Sequence, residues 1–224
     1  MTKFDPEIHH RRSIRLKGYD YTQPGAYFIT FCTYQRMHLF GEVVDGEMVL
    51  NDAGKIARDE WFKTAEIRPY VKLYEDEFMI MPNHGHGIIW IVDDVGNDVG
   101  DDVGDDVGTR RRRVRTDVIE KFGKPVKGSI PTIVRAYKSA VTYAVNAAEN
   151  QRGAVLWQKN YYEHIIRNDR ELKNIGWYIV NNPLNWQMDR DNSQNIRKLL
   201  PPEQVEEYVK DVEEMALKLK ADNS

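Results

Sequence analysis

The sequence predicts an α+β fold in which strands joined by hairpins are mixed with amphipathic helices. Apolar runs rich in β-branched and aromatic residues, typical of strands, occupy residues 26–34 and 81–92. Asp45-Gly46 is a strong turn dipeptide, so we expect a hairpin over residues 39–50. Residues 128–150 carry apolar side chains at helical spacing. Strands, tight turns and a long helix within one chain favour the mixed class.

The remaining elements follow from caps and breakers. Asn51 or Asp52 is expected to begin a helix that runs to about Ile67. Residues 156–166 favour a strand because their aromatic residues are clustered. A helix then begins at Asn168, three residues before a glutamate, and runs to Asn181 or Asn182, where Pro183 stops it.

Composition and charge limit the classes of function. The 224-residue chain is 41% hydrophobic and 11% aromatic, which is typical of a globular protein. No apolar run approaches the roughly 18 residues of a membrane span, and the N-terminus lacks a signal peptide's apolar stretch, so we expect a cytoplasmic protein without a membrane partner. The net charge is −3, but seven aspartates lie within residues 93–106, and without those seven the charge becomes +4. A mildly basic body permits a nucleic-acid partner.

Two segments are expected to lie outside the folded body. Residues 95–108 repeat a Val-Gly-Xaa-Asp tetrapeptide that cannot form a core, so we expect a surface loop, with calcium binding as the alternative. The arginine run at 110–115 either contacts nucleic acid or is neutralised by its acidic neighbour. Residues 202–220 predict a charged C-terminal helix.

The strongest chemical signal is a pair of histidines. His84 and His86 stand two apart at the head of a strand-like run, so their side chains share one face. Residues 70–80 predict a partner strand, and Pro82-Asn83 a turn that brings the pair near the tight end of a hairpin. Two imidazoles on one strand face can bind one divalent metal ion. The alternative is an ordinary pair of polar strand residues.

A tyrosine and an asparagine supply the complementary chemistry. Tyr178 and Asn182 are four apart on the predicted helix and therefore lie on one side of it. Facing the histidines, they would complete a metal site of two nitrogens and one oxygen with a phenol beside it. A metal-bound phosphate is an electrophile and tyrosine a covalent nucleophile, although Tyr178 could equally be a half-buried structural aromatic. Tyr161 and Tyr162 are other tyrosines near in sequence; as strand neighbours they point to opposite faces, so only one could reach the site.

Four segments resemble the successive blocks of the single-tyrosine HUH transposases, and most closely the REP-associated tyrosine transposase branch. They are RRSIRLKGYDYTQPGAYFITFCTYQR, MPNHGHGIIWI, GSIPTIVRAYKSAVTYAV and LWQKNYYEHIIRNDRELKNIGWYIVNNP. His84-Gly85-His86 corresponds to the family's His-hydrophobic-His motif, and Tyr178 with Asn182 to its Tyr-x-x-x-Asn motif. We assign residues 12–190 to an HUH transposase-like domain, residues 93–115 to an insert within it, and residues 191–224 to a linker and charged helix.

The resemblance implies a ferredoxin-like antiparallel sheet with helices packed on one face. It implies a DNA transposase and endonuclease in which His84, His86 and Asn182 hold Mg²⁺ or Mn²⁺ at a phosphate of single-stranded, hairpin-forming DNA. Tyr178 would form a 5′-phosphotyrosine, and a later 3′-OH attack would rejoin strands. Gly85 departs from the motif, and we expect it to lose a packing contact, at a cost of roughly 1 kcal/mol.

Three alternatives stay open on the sequence alone. One is a domesticated, non-catalytic protein that binds DNA hairpins through basic and aromatic surfaces. Another is a metal-dependent phosphodiester hydrolase in which the two histidines activate water and Tyr178 is structural. The third concerns assembly, since a homodimer and a monomer are both compatible with the resemblance.

Overall fold

The computed structural model describes residues 16, 18–93, 126–189 and 192. The repeat, the arginine run and the predicted C-terminal helix lie outside the described residues. Within them, strands and α-helices follow in the order β1 (Gly25–Thr33), β2 (Gly41–Val44), β3 (Glu47–Leu50), α1 (Asp52–Glu66), β4 (Val71–Lys72), β5 (Phe78–Met81), β6 (His84–Ile91), α2 (Ile130–Ala148), β7 (Trp157–Ile166) and α3 (Asp169–Val180). In this part of the chain, no helix is long and apolar enough to cross a membrane.

The main sheet is antiparallel and has the order β4-β6-β1-β7, with β5 also paired to β6. β4 pairs with the end of β6 and β5 with its beginning, so these two short strands share one position in the sheet. When β4 and β5 are counted as one strand, the strands of the main sheet and the helices between them follow in the order β1-α1-β4/β5-β6-α2-β7. This is the β-α-β-β-α-β order of the ferredoxin-like arrangement, with the separate β2-β3 hairpin inserted after β1 and α3 added after β7. The predicted α+β class is therefore confirmed.

Local signals fix the ends of several elements. Asp45 and Gly46 both have positive φ, at 50° and 79°, as a two-residue hairpin turn between β2 and β3 requires. The side chain of Asn51 accepts a hydrogen bond from the Gly54 backbone N–H, which caps α1. Asn168 caps α3 in the same way through the N–H of Glu171. These caps and the hairpin were all predicted from the sequence.

The larger core lies between one face of the sheet and helices α1 and α2. β1 contributes Tyr27, Ile29 and Phe31 to this face, all fully buried. Trp61 of α1 and Tyr137 of α2 pack against Phe31, with ring centroids 5.9 Å and 5.1 Å away. The Tyr137 hydroxyl also donates to the Ala57 carbonyl at 3.0 Å, which joins the two helices. The expectation of helices on one face holds for this pair.

Helix α3 covers part of the opposite face. Its residue Ile179 is fully buried in a second cluster with Phe28 of β1 and Ile88 of β6. Leu172 and Ile175 pack against the same cluster, so the apolar stripe of α3 is covered by the sheet. Because strand side chains alternate, this is also the face that carries His84 and His86.

The segment 70–80 differs from the expected single strand. A 3₁₀ turn, Glu75–Glu77, separates β4 from β5. Three consecutive acidic side chains favour solvent over a sheet, and Glu77 leaves the ladder to accept a hydrogen bond from the Trp90 indole at 2.6 Å. The tight end of the hairpin is as predicted, because Met81 pairs with His84 across a two-residue connection.

Candidate metal and tyrosine site

The two histidines lie side by side on β6. His84 is fully buried and His86 is 3% exposed, and their ring centroids are 4.6 Å apart. They pair in register with Cys32 and Thr30 of β1, in the middle of the sheet. The prediction that both imidazoles share one face is confirmed, and central strands hold that face rigid.

A neighbouring side chain holds the Nδ1 atom of each histidine. The Nδ1 of His84 lies 2.8 Å from the Asn83 Oδ1, and the Nδ1 of His86 lies 2.8 Å from the Thr30 hydroxyl. A carboxamide oxygen only accepts hydrogen bonds, so the His84 Nδ1 carries the proton and its Nε2 has the lone pair. Sequence reasoning missed both partners. Thr30 meets His86 only through the pairing of β1 with β6, whereas Asn83 could have been found from its place beside His84.

Tyr178 reaches the histidine pair from α3. Its hydroxyl lies 3.2 Å from the His86 Nε2, and its side chain is 41% exposed. Phe28 packs between the two elements, stacked on His86 at 5.6 Å and edge-on to Tyr178 at 6.2 Å. The phenol is thus both fixed beside an imidazole nitrogen and open to a ligand. This is the juxtaposition that the sequence predicted.

The first turn of α3, two turns before Tyr178, is held by hydrogen bonds to the residues that precede it. The carboxylate of Glu171 accepts the Arg167 backbone N–H at 2.9 Å and lies 3.4 Å from the Nε2 of His164. The hydrogen bond from Arg167 and the neighbouring His164 lower the pKa of this carboxyl, so it stays ionised at the positive end of the helix.

Asn182 lies just beyond α3 rather than within it, since the helix ends at Val180. It is 1% exposed, and its Oδ1 is buried with no hydrogen-bond partner among the described residues. Four residues on, Trp186 packs over His84 with ring centroids 6.0 Å apart. The segment from Tyr178 to Trp186 therefore contacts one histidine at each end, with Asn182 midway between them in sequence.

The two histidines and Asn182 could hold a divalent cation if a phosphate also bound it. In the described part of the chain, no group of three or more His, Cys, Asp and Glu side chains is placed to hold a metal ion. The candidate set is instead two imidazoles and the orphaned carboxamide oxygen of Asn182, all uncharged when they bind metal. A phosphate would supply the missing negative charge, and imidazole with oxygen ligands suits Mn²⁺ and, less well, Mg²⁺.

The other tyrosines divide between the two faces. Tyr162 pairs with Thr30 and lies 6.3 Å from Phe28, ring to ring, on the side of the histidines, and it is 46% exposed. Tyr161 packs against the larger core on the other side. Only one of the two therefore lies on the face of the site, as expected.

Gly85 does not leave the gap that its sequence position suggests. A Cβ at this residue would lie 2.5 Å from the Phe31 ring and 3.0 Å from Ile80, because the aromatic side chain already covers the glycine. At Gly87 a Cβ would lie 2.5 Å from the Trp61 ring. The expectation of a lost packing contact is wrong, since aromatic rings from β1 and α1 occupy this space.

Comparison with known proteins gives one full-length relative. No protein-family model matches this chain. Solved structures similar to it include two at 19% identity: a REP-associated tyrosine transposase bound to a REP hairpin, covering 82% of this chain and 73% of that chain with a TM-score of 0.44, and a "putative transposase" from Deinococcus radiodurans R1, covering 75% and 97% with a TM-score of 0.36. At these values nothing about the activity of this chain follows from either likeness.

An uncharacterized protein from Haemophilus influenzae is 39% identical over 189 residues, which is 84% of this chain and 97% of the relative. Identity at this level over nearly the whole relative means a shared fold. The chain belongs to the same family as this Haemophilus influenzae protein.

Proposed function

We propose that the protein is a metal-dependent transposase and endonuclease of single-stranded DNA that works through a 5′-phosphotyrosine. One observation carries the proposal: the hydroxyl of Tyr178 lies 3.2 Å from the Nε2 of His86, beside a second buried imidazole. The HUH-type motifs identified in the sequence supply both partners of this contact. Tyr178 is 41% exposed, so a substrate can approach it from solvent.

The residues would divide the chemistry as follows. His84, His86 and Asn182 would hold Mg²⁺ or Mn²⁺, which when bound supplies positive charge to the scissile phosphate. The Tyr178 hydroxyl releases its proton to solvent as its oxygen attacks phosphorus, the P–O3′ bond breaks, and the departing oxygen takes a proton from solvent to become a free 3′-OH. The phosphate stays joined to the 5′ end of the downstream strand as a tyrosine ester. Attack by a 3′-OH on this ester rejoins strands and returns the phenol, with no need for ATP.

When His86 carries its proton on Nδ1, its Nε2 has one lone pair, which two partners can use. It either accepts the hydrogen of the Tyr178 hydroxyl or binds a metal ion, because a single lone pair cannot do both. Occupation of this nitrogen by metal would therefore release the phenol towards the substrate. Because α3 is held at its N-terminus, the Tyr178 hydroxyl would stay close to the phosphate, as a nucleophile must.

Exposed aromatic side chains around the phenol favour a single-stranded substrate. Tyr162 and Trp177 are 46% and 44% exposed, on β7 and α3 respectively. Unpaired bases stack on such rings without a sequence requirement. We therefore propose that the partner is single-stranded DNA presented beside a hairpin, and that the protein has no membrane partner.

The metal ligands test the proposal. His84→Ala and His86→Ala are expected to abolish cleavage of a single-stranded oligonucleotide while the fold is retained by circular dichroism. Asn182→Ala should cost less, because water can take its coordination position. Lys55→Ala, which removes an exposed cation paired with Asp52 on α1, is the control and should keep wild-type cleavage. Wild-type cleavage by either of the first two variants would show that the metal site is misplaced.

The same assay separates the alternatives. Cleavage without a covalent adduct would indicate a hydrolase, and binding without cleavage a non-catalytic hairpin binder. Addition of Mn²⁺ or Mg²⁺ to chelator-treated protein is expected to restore cleavage in the wild type.

A further inference from the structure

A groove of about 970 Å³ lies between the second half of α2 and residues 150–159, which lead into β7. Side-chain hydrogen bonds, among them one from Asn146 and one from Lys138, hold this connection and the start of β7 beside the helix. The side-chain N–H of Asn146 donates to the Ala154 carbonyl at 3.2 Å, and the Lys138 ammonium donates to the Asn160 carbonyl at 3.2 Å. The groove is thus a defined part of the fold, on the outer flank of α2 and away from the histidine pair.

The groove is positively charged. Lys138, Arg152 and Lys159 line it, and no aspartate or glutamate does. Burial lowers the pKa of Lys138 to about 8, so this inner residue is only partly charged above neutral pH. Arg152 and Lys159 are exposed, and the described residues give neither of them an ion pair. Two unneutralised cations at the mouth complement a phosphate backbone.

The rest of the lining suits nucleobases. Tyr143 stands on α2 with 79% of its side chain exposed, which offers a ring face at the rim. Carboxamides from Asn146, Asn150 and Gln158 supply both donors and acceptors along the groove. Aromatic stacking combined with a basic path is the usual arrangement for single-stranded nucleic acid.

The groove also lies within reach of the proposed nucleophile. Lys159 and Tyr162 are three residues apart on β7, which spans about 10 Å along a strand. Tyr162 packs against Phe28 on the face of the histidines. β7 forms one edge of the sheet, since in the described residues it pairs with β1 alone. A single strand at Tyr178 therefore has a short path around this edge to the groove.

We infer that the groove between α2 and residues 150–159 binds the single-stranded DNA that flanks the cleavage site. This inference rests on the proposed function for its choice of DNA. Arg152 and Lys159 contact phosphates, and Tyr143 stacks on a base. The groove thereby acts as a second binding site that helps to position the strand at Tyr178.

Fluorescence anisotropy with a labelled oligothymidylate of roughly 20 nucleotides tests the inference, and the full chain is used throughout. Tyr143→Ala is expected to weaken binding about tenfold, whereas Tyr143→Phe keeps the ring and the affinity. The Arg152→Ala/Lys159→Ala variant should lower affinity about tenfold and reduce the slope of log K against log salt by about 0.7 per removed cation. Lys72→Ala, an exposed lysine at the other edge of the sheet, is the matched control and should change affinity little.

Three results would overturn the inference: equal affinity in Tyr143→Ala and Tyr143→Phe, equal effects of the Arg152→Ala/Lys159→Ala variant and the Lys72→Ala control, or no binding of the oligothymidylate by the wild type. A changed oligomeric state in the groove variants, without a change in DNA affinity, would assign the groove to a second copy of the chain. Because the readout is binding, it is independent of the covalent adduct. If the protein forms the adduct but the groove variants bind DNA as the wild type does, the groove inference is rejected and the proposed chemistry stands. If the groove variants bind DNA more weakly but no adduct forms, only the proposed chemistry is rejected.

Discussion

At the scale of the residue, two side chains decide which histidine nitrogens face the phenol. Thr30 and Asn83 each occupy the Nδ1 of one imidazole, at 2.8 Å. This leaves the Nε2 of His86 towards Tyr178. When the Thr30 hydroxyl accepts the Nδ1 proton of His86, both rings have the tautomer whose Nε2 can bind metal. The sequence predicted the imidazoles and the phenol because their spacing is local. It did not predict these partners, since Thr30 is 56 residues from its histidine and only the strand pairing brings them together.

The Thr30 hydrogen bond can be tested by an isosteric change. Thr30→Val removes the hydroxyl and should shift His86 in the metal-free protein towards the tautomer with its proton on Nε2, which nitrogen chemical shifts report. Affinity for Mn²⁺, measured by calorimetry, should fall about ten- to a hundredfold. Thr64→Val, whose hydroxyl bonds to its own helix, is the control. An unchanged tautomer and affinity in Thr30→Val would reject this role.

At the scale of the element, β6 alternates histidine on one face with glycine on the other. The rings of Phe31 and Trp61 fill the space above Gly85 and Gly87. A glycine covered by a cross-strand aromatic ring is an established means of stabilising a strand. The sequence alone suggested a lost packing contact at Gly85. The rings that fill this space come from β1 and α1, and no pattern near Gly85 in the sequence predicts them.

Alanine at two glycines should have opposite effects. Gly85→Ala places a methyl 2.5 Å from the Phe31 ring, so we expect it to reduce the free energy of unfolding by about 1–3 kcal/mol. Gly176→Ala meets nothing within 4 Å in α3 and should raise that free energy by up to about 1 kcal/mol. Urea denaturation measures both. A neutral Gly85→Ala would mean that the aromatic ring moves aside easily.

Elements with local signals were predicted well, and those set by tertiary contacts were not. The Asn51 and Asn168 caps and the hairpin at Asp45-Gly46 depend on neighbours within a few residues. The placement of α3 opposite the other helices depends on which sheet face remains uncovered. Helix α3 also ends at Val180, one or two residues before the predicted end at Asn181 or Asn182.

At the scale of the whole molecule, the larger core lies on one face of the main sheet and the candidate site on the other. Helices α1 and α2 bury the larger core against one face. The other face holds the histidine pair, the phenol and a smaller apolar cluster under α3. The two histidines and Tyr178 belong to neither apolar cluster, so we expect variants of these three residues to fold.

The Asp/Gly repeat, which lies outside the described residues, is expected to contribute little to stability. Deletion of residues 95–108 shortens a connection between β6 and α2, and the closure entropy of a loop changes slowly with length. We expect the free energy of unfolding to stay within about 1 kcal/mol of the intact chain in urea denaturation. A large loss, or a calcium-dependent rise in the melting temperature of the intact protein, would show that the repeat is structured.

The identity of the nucleophile is tested most directly by covalent trapping. The protein is incubated with Mn²⁺ and a single-stranded oligonucleotide, and the adduct is digested and mapped by mass spectrometry. We expect the nucleotide on Tyr178, no adduct with Tyr178→Phe, and normal DNA binding by that variant. Tyr162→Phe, which changes the other exposed tyrosine on this face, should still form the adduct. Cleavage without any adduct, or an adduct on Tyr161 or Tyr162, would contradict the assignment of Tyr178.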